Sequence, residues 1–342
     1  MFAARPAPRR PSGLSRAAIA VAVTLGVLIL AGTGPTRPAR AAYLGSDGRI
    51  AFVRNGNVYS IQPSGSGLHL LAGGGHNSGP RWSPNGSKLA YLDNGNLWIM
   101  NADGSYKSRI TNGAPGSTDA RPTWSPSGRY LAFVQSARHA RLGYLTRYDT
   151  VTGQLRTFTT TVTPPGLIRV SARPGTAVAW ARALDPGNPP GYFIIYEGAG
   201  DLCSAHHYCL DALGLGREYQ FRNGFPSVED TTSAPTRLTD PDWYPIMPQF
   251  DTDVITTVES CTSTGCAHTG IELQILGSVI LPGAYEAVYS PLGRHIAFVR
   301  DRRHGPEIYT TVNDPANAER DAVRLTAGSE PDWQPVAPFP PA

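Results

Sequence analysis

A proline stands two residues before a tryptophan at four places in this chain of 342 residues. The copies are Pro80-Arg81-Trp82, Pro122-Thr123-Trp124, Pro241-Asp242-Trp243 and Pro331-Asp332-Trp333. A recurring motif constrains the architecture more than any local pattern, because each repeat is one supersecondary unit that buries its apolar face against its neighbours. The motif therefore predicts a repeat protein.

The residues that flank the motif recur with it. Trp82 is followed by Ser-Pro-Asn-Gly and the run Lys88-Leu89-Ala90-Tyr91, and Trp124 is followed by Ser-Pro-Ser-Gly and a similar run. Tyr289 takes the tryptophan position in another copy, and residues 47–53 begin a further one. Shared neighbours of this kind distinguish a repeat from a chance pair of residues.

The spacing of the copies counts the units. Trp82 and Trp124 are 42 residues apart, and the two intervals that follow Trp243 are 46 and 44 residues long. The interval of 119 residues between Trp124 and Trp243 is too long for two such units. A degenerate copy that begins at Val170-Ser171-Ala172-Arg173-Pro174-Gly175 divides this interval, and the number of units becomes six.

Each unit has the pattern of four short strands. In the second copy, Leu89-Ala90-Tyr91-Leu92 and Leu97-Trp98-Ile99-Met100 are joined by Asp93-Asn94-Gly95-Asn96, which is a hairpin signal. With the Pro-x-Trp strand first and an Arg-Ile-Thr strand last, a unit has the length and content of a propeller blade. We therefore predict an all-β fold, a six-bladed β-propeller of four-stranded antiparallel blades. A β-sandwich is the alternative fold, but it would not repeat one motif at a regular period.

The two ends of the chain predict how the ring closes. The first unit lacks its own Pro-x-Trp strand, whereas Pro331-Asp332-Trp333 has no unit after it. The simplest arrangement makes residues 331–335 the innermost strand of the blade that begins at residue 47. Such closure removes the exposed edges that an open fan of blades would leave.

These repeats resemble the propeller of the TolB family, whose units read Trp-Ser-Pro-Asp-Gly, Ile-Ala-Phe, Ile-Tyr-x-Met-Asn-Ala-Asp-Gly and Leu-Thr. Residues Trp82 to Thr111 match this pattern, and the resemblance covers residues 47–335. It implies the propeller fold, whereas the function has to be argued from a site, because one fold hosts many activities. The chain has no room for the α/β domain that precedes the propeller in that family, so we do not expect a role in the Tol-Pal system.

The first 41 residues have the composition of a signal peptide. Four arginines precede an apolar run from Ala17 to Ala31, and Ala39-Arg40-Ala41 offers small residues at a cleavage site. A run this short is less than the roughly 20 residues of a membrane-spanning helix, so we expect cleavage before Ala42 and a secreted or extracytoplasmic protein. An uncleaved membrane anchor is the alternative. The predicted segments are a leader at 1–41, a propeller at 42–335 and a Pro-rich tail at 336–342.

Removal of the leader changes the net charge. The whole chain has a formal charge of +4, but the leader contains six arginines and no acidic residue. The remainder therefore has 24 basic and 26 acidic residues, and its formal charge is −2. This balance gives no reason to expect a nucleic acid as partner.

Four cysteines lie in two close pairs. The pairs are Cys203 with Cys209 and Cys261 with Cys266. An even number of cysteines in an exported protein predicts disulfides, and the local connectivity is favoured among the three that are possible. The alternative is a metal site that adds His206, His207 and His268, although Cys-x5-Cys is an unusual spacing for zinc. We predict disulfides, with neither a bound metal nor a cofactor.

Two hairpins of the predicted propeller are basic. Their residues are Arg138, His139 and Arg141 in the third blade, and Arg302, Arg303 and His304 in the sixth. One interpretation is contact with an anionic envelope polymer, and the other is a pair of solvated tips that keep the strand edges soluble. The third and sixth blades are opposite each other in a six-bladed ring, so the two hairpins cannot form one compact basic patch.

The fourth unit contains a long insertion at about residues 198–234. It includes Cys203, Cys209 and two adjacent histidines. Three interpretations are open: an element that binds a partner, a cap over the central channel, or a tolerated insertion without a function.

The sequence favours binding over catalysis. It contains no Gly-x-Ser-x-Gly, no His-Glu-x-x-His and no phosphate-binding loop, and we identify no catalytic residue. The predicted function is a monomeric scaffold in the cell envelope that binds a protein or polymer, with membrane contact only through an uncleaved leader. The alternative is a metal-assisted carbohydrate lyase or hydrolase built on a propeller.

Overall fold

Short β-strands joined by tight turns make up the part of the chain that a computed structural model describes: residues 46–113, 118–162, 166–169, 171–172, 177–183, 191–197, 210–215, 236–243, 254–262, 265–273 and 278–336. These residues contain 27 strands and no helix, and they belong to one compact unit. The all-β prediction is therefore confirmed. None of the described residues forms a helix that is long and apolar enough to cross a membrane.

In chain order the strands are β1 Ser46–Arg54, β2 Asn57–Ile61, β3 His69–Ala72, β4 Asn77–Trp82, β5 Lys88–Asp93, β6 Asn96–Asn101, β7 Ser108–Arg109, β8 Thr118–Asp119, β9 Thr123–Trp124, β10 Tyr130–Ser136, β11 Gly143–Asp149, β12 Leu155–Thr157, β13 Thr159–Val162, β14 Gly166–Arg169, β15 Ser171–Ala172, β16 Val178–Ala183, β17 Gly191–Glu197, β18 Leu210–Leu215, β19 Thr236–Trp243, β20 Val254–Thr262, β21 Gly265–Leu273, β22 Ser278–Pro282, β23 Ala284–Tyr289, β24 His295–Arg302, β25 Gly305–Val312, β26 Val323–Ala327 and β27 Ser329–Val336.

Five sheets have the antiparallel four-stranded order of a propeller blade. The first sheet is β27-β1-β2-β3, the second β4-β5-β6-β7, the fifth β19-β20-β21-β22 and the sixth β23-β24-β25-β26. In the third sheet, the short strands β8 and β9 both pair with β10, and β11 and β12 follow. The prediction of a propeller with four-stranded blades is confirmed for these five sheets.

The fourth sheet differs from the prediction. It has three strands among the described residues, in the order β16-β17-β18. We expected six four-stranded blades, but the described part of the chain contains five. Val170, the predicted start of this unit, lies outside the described residues, and the next residues, Ser171–Ala172, pair with β11 of the third sheet. β16 takes the inner position instead, because Trp180 packs on Tyr130 and its main-chain N–H donates to Thr123 Oγ1 at 3.2 Å.

Part of the predicted insertion in the fourth unit belongs to this sheet. Leu210–Leu215 lies within residues 198–234 and pairs with β17 over its whole length. Residues 198–209 and 216–234 lie outside the described part of the chain.

Two-residue turns explain the regular hairpins. Asn55-Gly56 joins β1 to β2 and Asn94-Gly95 joins β5 to β6, and all four residues have positive φ, between 49° and 71°. Turns with positive φ at both central residues match the right-handed twist of paired strands, and Asn-Gly adopts them most readily. The local sequence therefore sets the register of these hairpins.

The C-terminal motif lies in the first sheet. β27 pairs antiparallel with β1, and the register places Trp333 opposite Ile50 and Asp332 opposite Ala51. The pairing that the sequence predicts for residues 331–335 is thus present in the structure.

The hydrophobic core lies between neighbouring sheets. Trp124 of the third sheet packs with Ala90 and Leu92 of the second, and Trp333 of the first sheet packs with Val288 and Ala297 of the sixth. These two motif tryptophans therefore pack between neighbouring sheets.

Candidate functional site

The inner strand of each four-stranded sheet is interrupted at the same point of the repeat. In four sheets the interruption is a shift of register, and in the third sheet it is the gap between β8 and β9. The residues at the interruptions are Gly79-Pro80, Arg121-Pro122, Asp240-Pro241, Glu286-Ala287 and Glu330-Pro331. Proline has no N–H to donate to the ladder and is found in sheets mainly at edges and bulges. The proline of the Pro-x-Trp motif therefore marks a β-bulge.

The first residue of the bulge has an unusual backbone conformation in four of the five sheets; proline follows it in three of them, and Ala287 follows it in the sixth sheet. Asp240, Glu286 and Glu330 have φ values of 47°, 51° and 55°, and Gly79 has 58°. Non-glycine residues in the left-handed region are uncommon, and bulges re-aim a side chain relative to a regular strand. Residues held in this way concentrate at functional sites.

These bulges bring four charged side chains together. Arg121 Nη2 lies 2.5 Å from Glu286 Oε1, and its Nη1 lies 3.4 Å from Asp240 Oδ1. Glu286 Oε2 accepts the main-chain N–H of Glu330 at 2.7 Å, and Glu330 Oε2 accepts the main-chain N–H of Gly79. We call Arg121, Asp240, Glu286 and Glu330 the arginine–acid cluster. It connects the first, second, third, fifth and sixth sheets.

Burial and mutual charge determine the protonation of the cluster. Burial alone would lower the pKa of Arg121, but Glu286, Asp240 and Glu330 raise it above its ordinary value. Burial raises the pKa of Glu286, Arg121 opposes this rise, and the neighbouring carboxylates add to it. The arginine is thus held charged among three acids, where it works as a cross-link between sheets.

A second layer of side chains lies two residues further along each inner strand, roughly 7 Å away. It borders a cavity of about 80 Å³, the central cavity, to which the inner strands of the five four-stranded sheets and of the three-stranded sheet β16-β17-β18 contribute. Its lining consists of Arg81, Trp82, Thr123, Trp124, Val178, Ala179, Trp180, Pro241, Asp242, Tyr289, Pro291, Asp332, Trp333 and Pro335. The variable residue of the Pro-x-Trp motif therefore lines the central cavity.

That variable residue also connects each sheet to the next. Asp332 Oδ2 accepts the main-chain N–H of Trp82 at 2.6 Å, and Asp242 Oδ2 accepts that of Tyr289 at 2.7 Å. Thr123 Oγ1 makes the equivalent bond to Trp180. Each acceptor thus satisfies a buried donor of the neighbouring inner strand, which an apolar side chain would leave unpaired.

Asp332 is an acid of the central cavity with a strongly perturbed pKa. Burial raises the pKa of Asp332 to about 7, although Arg81 and the N–H of Trp82 act in the opposite direction, and Asp242 adds to the rise. Arg81 Nη1 lies 3.7 Å from Asp332 Oδ1. A carboxyl group that titrates near neutral pH can either donate or accept a hydrogen bond there.

The two basic hairpins lie away from the central cavity. Arg138, His139 and Arg141 are exposed between β10 and β11, and Arg302, Arg303 and His304 are exposed in the hairpin of β24 and β25. Arg302 donates to the Tyr309 hydroxyl at 3.0 Å, and Arg138 lies 3.0 Å from the His139 ring nitrogen. They belong to different sheets, and their role in binding stays a prediction.

The cysteine region is described only in part. Cys261 and Cys266 lie opposite each other in the ladder of β20 and β21, whereas Cys203, Cys209, His206 and His207 lie outside the described residues. His268 is 3.2 Å from Glu259, whose hydrogen bond raises the pKa of His268 against the effect of burial. In the part of the chain that the structure describes, no three His, Cys, Asp or Glu side chains form a group suited to a metal ion.

The sequence contained a signal for this site that motif searching missed. The proline and the aromatic residue recur because they build the bulge and the wedge, whereas the residues before the proline and between it and the tryptophan change from copy to copy. Those variable positions supply the cluster and the charged lining of the cavity. The differences between the copies of the repeat therefore indicate the residues of the site.

Comparison with known proteins shows similarity of fold alone. No family model matches the chain, and no curated protein is similar to it in sequence. TolB from Acinetobacter baumannii superimposes with a TM-score of 0.55 at 15% identity, over 84% of this chain and 67% of that one. Hydrazine synthase from Kuenenia stuttgartiensis gives 0.57 at 11% identity, over 85% of this chain and 47% of that one. An oligogalacturonate lyase in complex with manganese matches more loosely, with a TM-score of 0.42 at 13% identity, over 79% of this chain and 70% of that one. The overlap with TolB supports a TolB-like propeller fold.

Proposed function

We propose that this protein is an extracytoplasmic β-propeller that binds a partner or ligand at its central cavity. The observation that carries the proposal is the convergence of six inner strands on one cavity that contains Arg81, Asp242 and Asp332. Buried ionisable groups cost free energy unless they are paired, and they gather at functional sites. The leader at residues 1–41 supports an extracytoplasmic location, in the cell envelope or secreted.

The proposal includes a ring of six blades that β27 closes, with β16-β17-β18 as the fourth blade. β27 pairs with β1, and two of its side chains reach the second sheet: Asp332 accepts the N–H of Trp82, and Gln334 Nε2 donates to the carbonyl of Gly86 at 2.9 Å. A strand that connects two neighbouring sheets in this way is what closure of a ring requires.

Position-specific photo-crosslinking in the native cell envelope tests the binding role. The crosslinking residue replaces Ser127 or Leu292, in the Ser-Pro-x-Gly turns at the end of the strands where the cavity lies. We expect capture of one reproducible partner from both positions, and loss of capture when Arg81→Ala is added. Matched probes at Asn94 and His304, in hairpins at the other end of the strands, should not capture it.

Equal capture from both ends of the strands would contradict binding at the cavity. Turnover of an acidic polysaccharide that depends on an added metal would favour the alternative, a carbohydrate-active enzyme.

Two local disulfides complete the proposal. Cys261 and Cys266 are directly opposite in an antiparallel pair, where Cα atoms are about 4.5 to 5.5 Å apart, within the range that a disulfide spans. We propose Cys203–Cys209 as the second disulfide on its spacing in the sequence. Thiol titration of the denatured protein should find no free thiol, and four free thiols would favour a metal site instead.

A further inference from the structure

Arg147 of the third sheet is a partly buried cation without an ion-pair partner. Its guanidinium lies over the rings of Tyr130 and Phe158, with Cζ 4.9 and 5.9 Å from the two ring centroids. Within the described part of the chain, none of its three nitrogens has a hydrogen-bond acceptor. Nη1 is enclosed, whereas Nε and Nη2 are not, so these two donors are within reach of a ligand.

Two other arginines show how the same stacking is completed elsewhere in the fold. Arg54 and Arg300 each lie over two aromatic rings as well. Arg54 donates to the main-chain carbonyl of Ala327 at 2.9 Å, and Arg300 forms an ion pair with Glu319. Polar groups inside proteins are nearly always hydrogen-bonded, because an unpaired one costs free energy. Since Arg147 has the stacking without the acceptor, we expect the acceptor to come from outside the chain.

A second arginine lies directly opposite Arg147 in the strand ladder. It is Arg156 of β12, which is exposed and donates to an uncharged side chain, Gln154, at 3.3 Å. Residues directly opposite in an antiparallel pair have Cβ atoms about 4.5 to 5.5 Å apart, and like charges there repel each other. Burial lowers the pKa of Arg147, and the charge of Arg156 lowers it further. An anion held between the two guanidinium groups removes this repulsion.

The nearby carboxylate does not neutralise the pair. Asp149 Oδ2 lies 2.9 Å from Arg129 Nη2, and the hydrogen bond from Arg129 lowers the pKa of Asp149 to about 2. Arg129 Cζ lies 5.1 Å from the centroid of Tyr130, the same ring that Arg147 covers. This end of the third sheet thus gathers three arginines around one carboxylate that already has a partner. We call Arg129, Arg147 and Arg156 the arginine triad.

We infer that the arginine triad binds a phosphate or sulfate group. Guanidinium groups bind the oxygens of such anions in pairs, as they do those of carboxylates. A tetrahedral anion has enough oxygens for two guanidinium groups, whereas one guanidinium already occupies both oxygens of a carboxylate. The rings under Arg147 hold its donors in place before the ligand binds, which favours affinity. None of the three arginines lines the central cavity, so this second site goes beyond the binding role proposed for that cavity.

Isothermal titration calorimetry of the full chain tests the inference. Inorganic phosphate, sulfate and glycerol 3-phosphate are titrated separately at constant ionic strength, with acetate and chloride as comparisons. We expect saturable binding of a tetrahedral anion, and binding of acetate that is weaker by roughly 10-fold or more, the equivalent of one lost hydrogen bond to a charged group. Tightest binding of glycerol 3-phosphate indicates a phosphate ester of a larger molecule, and tightest binding of inorganic phosphate or sulfate indicates the free ion.

A matched pair of exposed arginines assigns the binding to the triad. Arg156→Gln removes one guanidinium from the outer strand of the third sheet, and we expect it to weaken binding by roughly 10-fold. Arg324→Gln is the control, because Arg324 lies in the outer strand of the sixth sheet, is 53% exposed and pairs with Glu307 at 2.9 Å. Both variants lose the same charge, so a general electrostatic effect would weaken binding equally. Arg147→Lys keeps the charge but not the paired donors, and it should also weaken binding.

Three outcomes overturn the inference. They are the lack of saturable binding of any tetrahedral anion, binding of acetate as tight as that of phosphate and sulfate, and equal losses in Arg156→Gln and Arg324→Gln. The comparison of anions with the wild-type chain stands on its own if a variant fails to fold. Photo-crosslinking that depends on Arg81 does not require the triad, so failure of this site and failure of the proposed function are distinguishable.

Discussion

The raised pKa of Asp332 predicts that the stability of the fold depends on pH. The pKa of about 7 in the folded chain lies above the ordinary value of about 3.9. A group whose pKa rises on folding stabilises the fold while it is protonated, and this contribution is lost as the pH rises from about 4 to 7. The loss is at most about 4 kcal/mol, since one pKa unit corresponds to 1.36 kcal/mol.

We expect Asp332→Asn to remove most of this pH dependence. Asparagine does not titrate, and its carbonyl oxygen can still accept the N–H of Trp82. The free energy of unfolding of the wild type should fall relative to that of the variant between pH 4 and 7, as measured by denaturant titration. Asp149→Asn is the opposite control, because the hydrogen bond from Arg129 lowers the pKa of Asp149 to about 2 and its contribution is lost only below pH 4. Parallel curves for wild type and Asp332→Asn would contradict the prediction.

Arg121 is a single residue on which several sheets depend. Arg121→Ala leaves three carboxylates close together and largely buried, and removing one partner of a buried ion pair costs about 3 to 5 kcal/mol. Arg129→Ala is the matched control, since Arg129 is 45% exposed in its pair with Asp149 and such surface pairs contribute up to about 1 kcal/mol. Equal losses of unfolding free energy in the two variants would show that the cluster is not a cross-link.

At the scale of strands and turns, local chemistry made the regular elements predictable. The Asn94-Gly95 hairpin and the Ser-Pro-x-Gly turns carry their conformations in their own residues, so sequence alone located the strands beside them. The fourth sheet was not predictable in the same way, because its inner strand is chosen by packing of Trp180 on Tyr130 of another sheet. The bulges were missed because a positive φ at Glu286 or Glu330 depends on long-range contacts, which no local propensity favours.

Alanine substitutions at two glycines in the same turn position distinguish the effect of local backbone strain from the effect of a clash with β27. Gly86 and Gly128 have φ values of 65° and 73°, so alanine is strained at both. A Cβ on Gly86 would lie 1.9 Å from the carbonyl oxygen of Pro335, whereas one on Gly128 would meet Pro84 at an ordinary 3.5 Å. We expect the Tm of Gly86→Ala to be at least about 2 °C below that of Gly128→Ala, which for a domain of this size corresponds to one or more kcal/mol of added cost. Identical melting curves would mean that β27 does not hold this position in solution.

At the scale of the whole molecule, we expect stability to depend on the contacts that β27 makes with β1 and β4. β27 contributes the inner strand of the first sheet, and it accepts the N–H of Trp82 through Asp332 and the N–H of Gly79 through Glu330. These contacts span about 250 or more residues of sequence, so no other segment can replace them locally. We therefore expect the sheets that β27 connects to unfold together.

Deletion of residues 330–342 tests this dependence. The truncation removes Glu330, Asp332 and the wedge Trp333 together, and it exposes the edge of β1, so the melting temperature should fall for the whole domain and not for the first sheet alone. Deletion of residues 337–342 is the control, because it leaves β27 intact, and its melting curve should match that of the full chain. Hydrogen exchange measured for each sheet would distinguish global from local loss. If truncation at residue 330 left the melting temperature unchanged, or destabilised only β1 to β3, the contacts of β27 would not be what holds the sheets together.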